Sequence, residues 1–185
     1  MLNALNVPNA LTLLRIAAIP AILIAVDSES FGLAFLLFFA AGVTDGLDGY
    51  IARSTNTRTE LGAYLDPLAD KGLVITLLLK LSLVGAVPFW VLTIILTRDI
   101  VCLTGYMILY LLTGETLEIA PSQTGKWATF FQIGGLGVCL FILWIPGFPI
   151  PTLADVLLGV AAALTAVAGV QYVWRGLTWY QARPV

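Results

Sequence analysis

The chain contains no histidine, which removes the commonest general base and every histidine-ligated metal site. Charge is scarce as well: Lys, Arg, Asp and Glu make up 11% of the 185 residues, where a soluble domain carries about 25%. With 59% hydrophobic residues and a mean hydropathy of +0.97, the composition is that of an integral membrane protein. The formal net charge of −2 and the lack of any Lys/Arg cluster give no reason to expect nucleic acid or a polybasic lipid-surface patch. Cys102 and Cys139 both lie in apolar runs and read as packing residues rather than a disulfide. The N-terminus lacks the basic stretch of a cleavable signal peptide, so the first hydrophobic run is expected to remain as a transmembrane helix. Nothing resembles a linker or a low-complexity segment, and a single domain over 1–185 is expected.

What is present is apolar sequence in long runs, and the expected fold is all-α and polytopic. A helix needs about 20 apolar residues to cross a bilayer. Six runs qualify, near 9–26, 32–54, 61–82, 88–113, 125–145 and 152–175. The breaks are Asp27-Ser28-Glu29-Ser30, Ser54-Thr55-Asn56-Thr57, Gly85 with Pro88, Gly114 through Ser122, and Pro146-Gly147-Phe148-Pro149. Basic residues set the orientation. With a cytoplasmic N-terminus, Arg15, Arg53, Arg58, Lys126, Arg175 and Arg183 fall on the cytoplasmic side. Asp27, Glu29 and Asp155 fall opposite, with Lys80 the one basic residue near them. Both termini are therefore expected in the cytoplasm. Trp90, Trp127, Trp144, Trp174 and Trp179 lie mostly near helix ends, as an aromatic belt does. Gly134, Gly135 and Gly137 read as close helix packing.

Against this background residues 45 to 70 stand apart. Asp45, Asp48, Asp66 and Asp70 lie within or just after hydrophobic runs, with Arg53 among them. An ionisable group inside a bilayer costs roughly 2.5–3.5 kcal/mol on insertion scales, so it calls for a functional reason. Asp45 and Asp48 are three apart and Asp66 and Asp70 four apart, which puts each pair on one helix face. Gly49 and Ala52 lie one turn beyond Asp45 and Asp48, so a bulky ligand can approach the backbone there. Four carboxylates sharing a low-dielectric site require cations or protonation, because like charges raise one another's pKa. Hard divalent cations with oxygen ligands, Mg²⁺ above all, answer that need and bring phosphate-bearing substrates with them. Two such ions about 4 Å apart would clamp the attacking and leaving oxygens of a phosphoryl displacement. The plain alternative is four acids in a helical hairpin that merely pair with Arg53, Arg58 and Lys71.

The pattern Asp45-x-x-Asp48-Gly49-x-x-Ala52-Arg53, eight residues, Gly62-x-x-x-Asp66-x-x-x-Asp70 resembles the signature of the CDP-alcohol phosphatidyltransferases, with every signature position filled and every gap of the family's length. The resemblance implies an integral-membrane enzyme of a bacterial inner membrane or its equivalent. It would transfer the phosphatidyl group of CDP-diacylglycerol to a glycerol-type alcohol and release CMP, at an active site facing the cytoplasm. By the same resemblance Asp45, Asp48 and Asp66 would be the main metal ligands, Asp70 both ligand and general base, and the cofactor two Mg²⁺ or Mn²⁺ ions. Asp48, Gly49, Ala52, Arg53 and Gly62 would form the CDP site, with Gly49 and Arg53 at the diphosphate. A homodimer is the family expectation. With no histidine in the chain and no serine or cysteine at a motif position, direct attack by the acceptor is preferred over a covalent enzyme intermediate.

Outside the signature, Asn6-Val-Pro-Asn9-x-x-Thr12-x-x-Arg15, Leu65-Asp-Pro-Leu-Ala-Asp-Lys71, Arg98 and Lys126-x-x-Thr129-x-x-Gln132 resemble the branch that makes phosphatidylglycerophosphate and cardiolipin. Arg98, Lys126, Arg15 and Thr12 are then the candidates for the acceptor site. From the residues alone, Arg98-Asp99 is also readable as a mutually neutralising pair, and Lys126 as an interfacial anchor. Family members that use glycerol 3-phosphate tend to carry another arginine two turns after Arg98, where this chain has Tyr106. Arg98-Asp99 and Pro121-Ser122 look closer to the cardiolipin-synthase type, whose acceptor, phosphatidylglycerol, has one diester charge and needs fewer cations. The sequence thus leans to phosphatidylglycerol, with glycerol 3-phosphate as the alternative. Of other classes, a carboxylate-lined cation transporter would spread its acids over broken helices and paired repeats, which the sequence does not show. A non-catalytic scaffold would have no need of all four aspartates.

Overall fold

The computed structural model describes the backbone of residues 7–55, 60–114, 122–149 and 151–181, and the side chains of these outside 7–11, 45–68 and residue 151. Among them six α-helices follow one another: α1 (Val7–Asp27), α2 (Phe31–Thr55), α3 (Glu60–Leu83), α4 (Phe89–Thr113), α5 (Gln123–Trp144) and α6 (Pro151–Gln181). The all-α expectation holds. Helix ends fall within two residues of the expected ones except at α6, which runs on from 175 to 181. The expected span stopped at Arg175 because charge ends an apolar run. A helix, however, needs only its backbone hydrogen bonds, and no proline interrupts it before Pro184. Thr178 Oγ1 donates back to the carbonyls of Trp174 and Arg175, both at 3.0 Å, which satisfies that polar side chain within the last turns.

α1 and α3 end alike. Ser30 N–H reaches Ala25 O at 2.8 Å and Glu29 N–H reaches Val26 O at 3.1 Å; Ala86 N–H reaches Leu81 O at 2.9 Å and Gly85 N–H reaches Ser82 O at 3.1 Å. Both are Schellman turns, whose penultimate residue takes left-handed backbone. Gly85 takes it at φ 82° without steric cost, whereas Glu29 takes it at φ 56° against its own Cβ. Glu29→Gly is expected to stabilise the protein by about 1 kcal/mol, read as a higher Tm in detergent with turnover unchanged. A lower Tm would show that the glutamate side chain contributes more than its backbone costs.

The chain groups into two compact units. In the first, Met1–Ala86 with Leu136–Pro151, α1 packs along both α2 and α3. Its buried face, Thr12, Arg15, Ile22, Ala25 and Val26, recurs at helical spacing, and Leu73, Leu77 and Leu81 form the buried face of α3. Lys80 Nζ pairs with the Asp27 carboxylate and ties the ends of α1 and α3 together. Gly32 lets α2 approach Trp144: a Cβ there would stand 2.6 Å from the indole nitrogen. The second unit, Val87–Gly135 with Thr152–Val185, holds α4, the first part of α5, and α6. Trp90, Arg98 and Leu109 of α4 lie against Gly159, Gly169 and Gly176 of α6, in the same order along both helices, so α4 and α6 run parallel. Gly135 is packed so tightly on Leu158 that a Cβ would come within 2.7 Å, which accounts for the glycine-rich stretch of α5.

Among the described residues, Phe89–Thr113, Gln123–Trp144 and Thr152–Gln181 are long and apolar enough to cross a membrane, and Phe31–Thr44 is a shorter apolar helix. Ile24, Phe39, Leu103, Leu111, Val170 and Trp174 are exposed, while Thr12, Arg15, Ser82, Gln132 and Thr165 are buried. Large hydrophobic side chains outside and polar ones within suit lipid rather than water.

Candidate active site

The acidic stretch occupies two helices of the first unit. α2 carries Asp45, Asp48, Gly49, Ala52 and Arg53 towards its C-terminus, and α3 carries Gly62, Asp66 and Asp70 in its first half. α2 ends at Thr55 and α3 starts at Glu60, so chain connectivity alone keeps those ends within about 18 Å of each other. The side chains at 45, 48, 52, 53 and 66, and the surroundings of Gly49 and Gly62, lie outside the described residues; Asp70 is the described member of the set. Among the described residues no group of three or more His, Cys, Asp or Glu side chains is placed to hold a metal ion.

Asp70 has a partner that spacing along the chain could not reveal. Arg15 Nη1 donates to Asp70 Oδ1 at 2.6 Å, across 55 residues of sequence. The arginine side chain is 1% exposed and the aspartate 42%. The pair is lopsided: the cation is sealed between α1 and α3, while the carboxylate it holds is partly exposed. Thr12, one turn before Arg15, is fully buried on the same face. Thus two residues expected at the acceptor, Thr12 and Arg15, lie in the core of the first unit, and Arg15 is brought to the expected base.

The other acceptor candidates belong to the second unit. Arg98 Nη1 donates to Asp99 Oδ1 at 2.7 Å, so the local pair does form. Arg98 Nε is buried and has no hydrogen-bond partner among the described residues. The terminal Nη2 lies 3.7 Å from where a Cβ on Gly125 would stand, which brings the guanidinium to the first turn of α5. That turn is capped by Ser122, whose Oγ accepts from Gly125 N–H at 3.1 Å. Thr124 Oγ1 donates to Gln171 Oε1 at 2.7 Å and fastens the turn to α6. Lys126, in the same turn, is exposed. An open groove of about 520 Å³ between α4 and α6 is lined by apolar residues and threonines, with the Arg98 stem as its one charged member. Sequence reading missed Ser122 as a cap, Gln171 as the tie to α6 and Gly169 beneath Arg98. The three- and four-residue recurrence of Gly159, Ala162, Ala166 and Gly169 was the available signal for the last.

The sequence profile of CDP-alcohol phosphatidyltransferases matches residues 5–168. The chain belongs to this family. It is 38% identical over 178 residues to a probable phosphatidylglycerophosphate synthase of Mycobacterium tuberculosis, covering 93% of this chain and 82% of the other. It is 38% identical over 176 residues to the CDP-diacylglycerol–glycerol-3-phosphate 3-phosphatidyltransferase of Haemophilus influenzae, covering 90% and 91%. A putative cardiolipin synthase of Mycobacterium tuberculosis is 39% identical over 137 residues, covering 71% of this chain and 63% of that protein. As a CDP-alcohol phosphatidyltransferase the protein is a transferase of phospholipid biosynthesis and a membrane protein. CDP-diacylglycerol and a glycerol-type acceptor are the substrates its family implies. The transporter reading is set aside.

Proposed function

We propose that this phosphatidyltransferase uses glycerol 3-phosphate as acceptor, making phosphatidylglycerophosphate and CMP from CDP-diacylglycerol. The observation that carries the choice is the 38% identity, across nine-tenths of both chains, to a relative named for glycerol 3-phosphate. The likeness to a putative cardiolipin synthase spans less of either chain. The lean to phosphatidylglycerol is therefore given up. It rested on the likeness of Arg98-Asp99 and Pro121-Ser122 to the cardiolipin-synthase type and on too few cationic side chains for a dianion once Tyr106 replaced an arginine, and that count omitted the partial charge at the start of α5. A helix N-terminus carries roughly half a positive charge, and here it stands beside Arg98 and includes Lys126.

In the proposed reaction the primary hydroxyl of glycerol 3-phosphate attacks the phosphorus that bears the diacylglycerol. The bond from that phosphorus to the CMP oxygen breaks, CMP leaves with the electron pair, and the hydroxyl proton passes to Asp70. Arg15 holds Asp70 through Oδ1, and the carboxylate is partly exposed, as a group that takes a proton from a substrate must be. Asp45, Asp48, Asp66 and Asp70 would hold two Mg²⁺ or Mn²⁺ ions; an all-carboxylate donor set suits hard cations, and the half-open Asp70 is compatible with one. When bound, such ions neutralise the diphosphate and the charge that builds on the leaving oxygens. Asp48, Gly49, Ala52, Arg53 and Gly62 would receive the CDP moiety, and Arg98 and Lys126 the acceptor phosphate. The same reading takes all six helices across the membrane in one domain, with both termini and the carboxylates on the cytoplasmic side, as the distribution of basic residues supports. The homodimer implied by the family resemblance is part of the proposal.

The test is lipid mass spectrometry on the purified full chain with CDP-diacylglycerol and either glycerol 3-phosphate or phosphatidylglycerol. Phosphatidylglycerophosphate is expected from the first, with CMP release stopped by excess chelator and restored by Mg²⁺ or Mn²⁺. Cardiolipin from the second, with glycerol 3-phosphate ignored, would reverse the assignment. Full activity in excess chelator would remove the metal ions from it.

A further inference from the structure

Arg98 leaves α4 where α6 comes close beneath it. A Cβ built on Gly169 would stand 3.2 Å from Arg98 Cγ and 3.8 Å from Arg98 Cβ, so the arginine stem rests on the α6 backbone with no side chain between. The neighbouring glycines of the same face differ. At Gly159 a Cβ would meet Trp90 at 3.9 Å, an ordinary contact. At Gly176 it would meet Leu109 Cδ1 at 3.2 Å, the tip of a flexible side chain that can turn away. At Gly169 the obstacle is the root of the side chain. Moving Arg98 Cγ by a few tenths of an ångström means turning χ1 by roughly ten degrees within its staggered well, and a turn at the root of so long a side chain is magnified at the guanidinium. The head of the same side chain is held at its other end by Asp99 Oδ1 and lies beside the first turn of α5.

We infer that Gly169 is a positioning residue, whose missing side chain seats the Arg98 stem on α6 and so aims the guanidinium at the first turn of α5. The inference rests on the reading of Arg98 as a ligand of the acceptor phosphate. A cation that meets the phosphate of glycerol 3-phosphate but not the reacting phosphorus affects acceptor capture more than the chemical step, so displacing it separates KM from kcat.

The experiment uses the full chain in detergent or vesicles, with Gly169→Ala, Gly169→Val, Arg98→Ala, the double variant Arg98→Ala/Gly169→Ala, and Gly159→Ala as the control. In Gly169→Ala the KM for glycerol 3-phosphate is expected to rise about 3–10-fold, because a displacement of tenths of an ångström costs less than the hundredfold of a full one. Gly169→Val should raise it further. The kcat and the KM for CDP-diacylglycerol should stay within about twofold, and Gly159→Ala should match the wild type. In the double variant the alanine at 169 should add nothing to the loss caused by Arg98→Ala. Unchanged KM in Gly169→Ala, with KM raised by Arg98→Ala, overturns the positioning role alone. An equal additional loss in the Arg98→Ala background also overturns it, since Gly169 would then act through helix packing. If Arg98→Ala leaves the acceptor KM unchanged, the assignment of Arg98 falls and the inference falls with it. Should Gly169→Val fail to assemble, Gly169→Ala decides.

Discussion

Asp70→Asn is expected to lower kcat by about 10²–10⁴-fold, the usual worth of a general base, in a protein that still folds and still binds CDP-diacylglycerol. Asparagine has the shape of aspartate and keeps an oxygen where Arg15 Nη1 donates at 2.6 Å. What it loses is the negative charge and the capacity to take a proton. Asp70→Ala is a different experiment, because it withdraws the carboxylate from a guanidinium that is 1% exposed. Breaking a buried pair by removing one partner costs about 3–5 kcal/mol when the remaining charge cannot reach water. Alanine should therefore reduce the folded yield, whereas asparagine should reduce turnover alone. The measurements are single-turnover CMP release and thermal unfolding on the same preparations. Near-normal release in folded Asp70→Asn would move the base to another residue.

The helices were legible because each break is chemical. Gly85, Gly114 and the Pro146-Gly147 pair end helices for reasons carried by those residues themselves. Glu29 was legible as a break but not as a left-handed residue, since nothing in its side chain favours that backbone. The far end of α6 was misjudged because hydropathy measures fitness for lipid, and a helix may outlast the lipid it crosses. At the site, spacing placed Asp66 and Asp70 on one helix face, and in the structure Thr12 and Arg15 share the buried face of α1. Spacing could not bring the two faces together, because it carries no information about which helices meet. The Arg15–Asp70 pair is tertiary in that sense, and so is the seating of Arg98 on Gly169. The lean on the acceptor, which the relatives' names do not favour, has another source: one position, Tyr106, was weighed as if side chains were the only cations, and the partial charge at the start of α5 is invisible to a count of Arg and Lys.

Arg15→Met should separate the two roles open to Arg15. If the guanidinium bound the acceptor phosphate, its loss would raise the KM for glycerol 3-phosphate with kcat little changed. If it holds Asp70 in place, kcat falls while that KM stays put. Burial favours the second outcome, because Arg15 is sealed in the first unit with its Nη1 on Asp70. The expected loss in kcat is about 10–10²-fold, the range seen when a residue that orients a reacting or ligating group is removed. Stability should suffer less than in Asp70→Ala. Methionine fills much of the buried volume, and the carboxylate left behind is exposed enough to be solvated, so the cost is nearer the 1.5–3 kcal/mol or so of a hydrogen bond to a charged group. Arg15→Lys should recover part of the charge but little of the geometry, since an ammonium on a shorter reach does not reproduce the planar donor set. Its kcat is accordingly expected between those of Arg15→Met and the wild type. A raised KM with intact kcat in Arg15→Met would return Arg15 to the acceptor and leave Asp70 to be oriented by other groups.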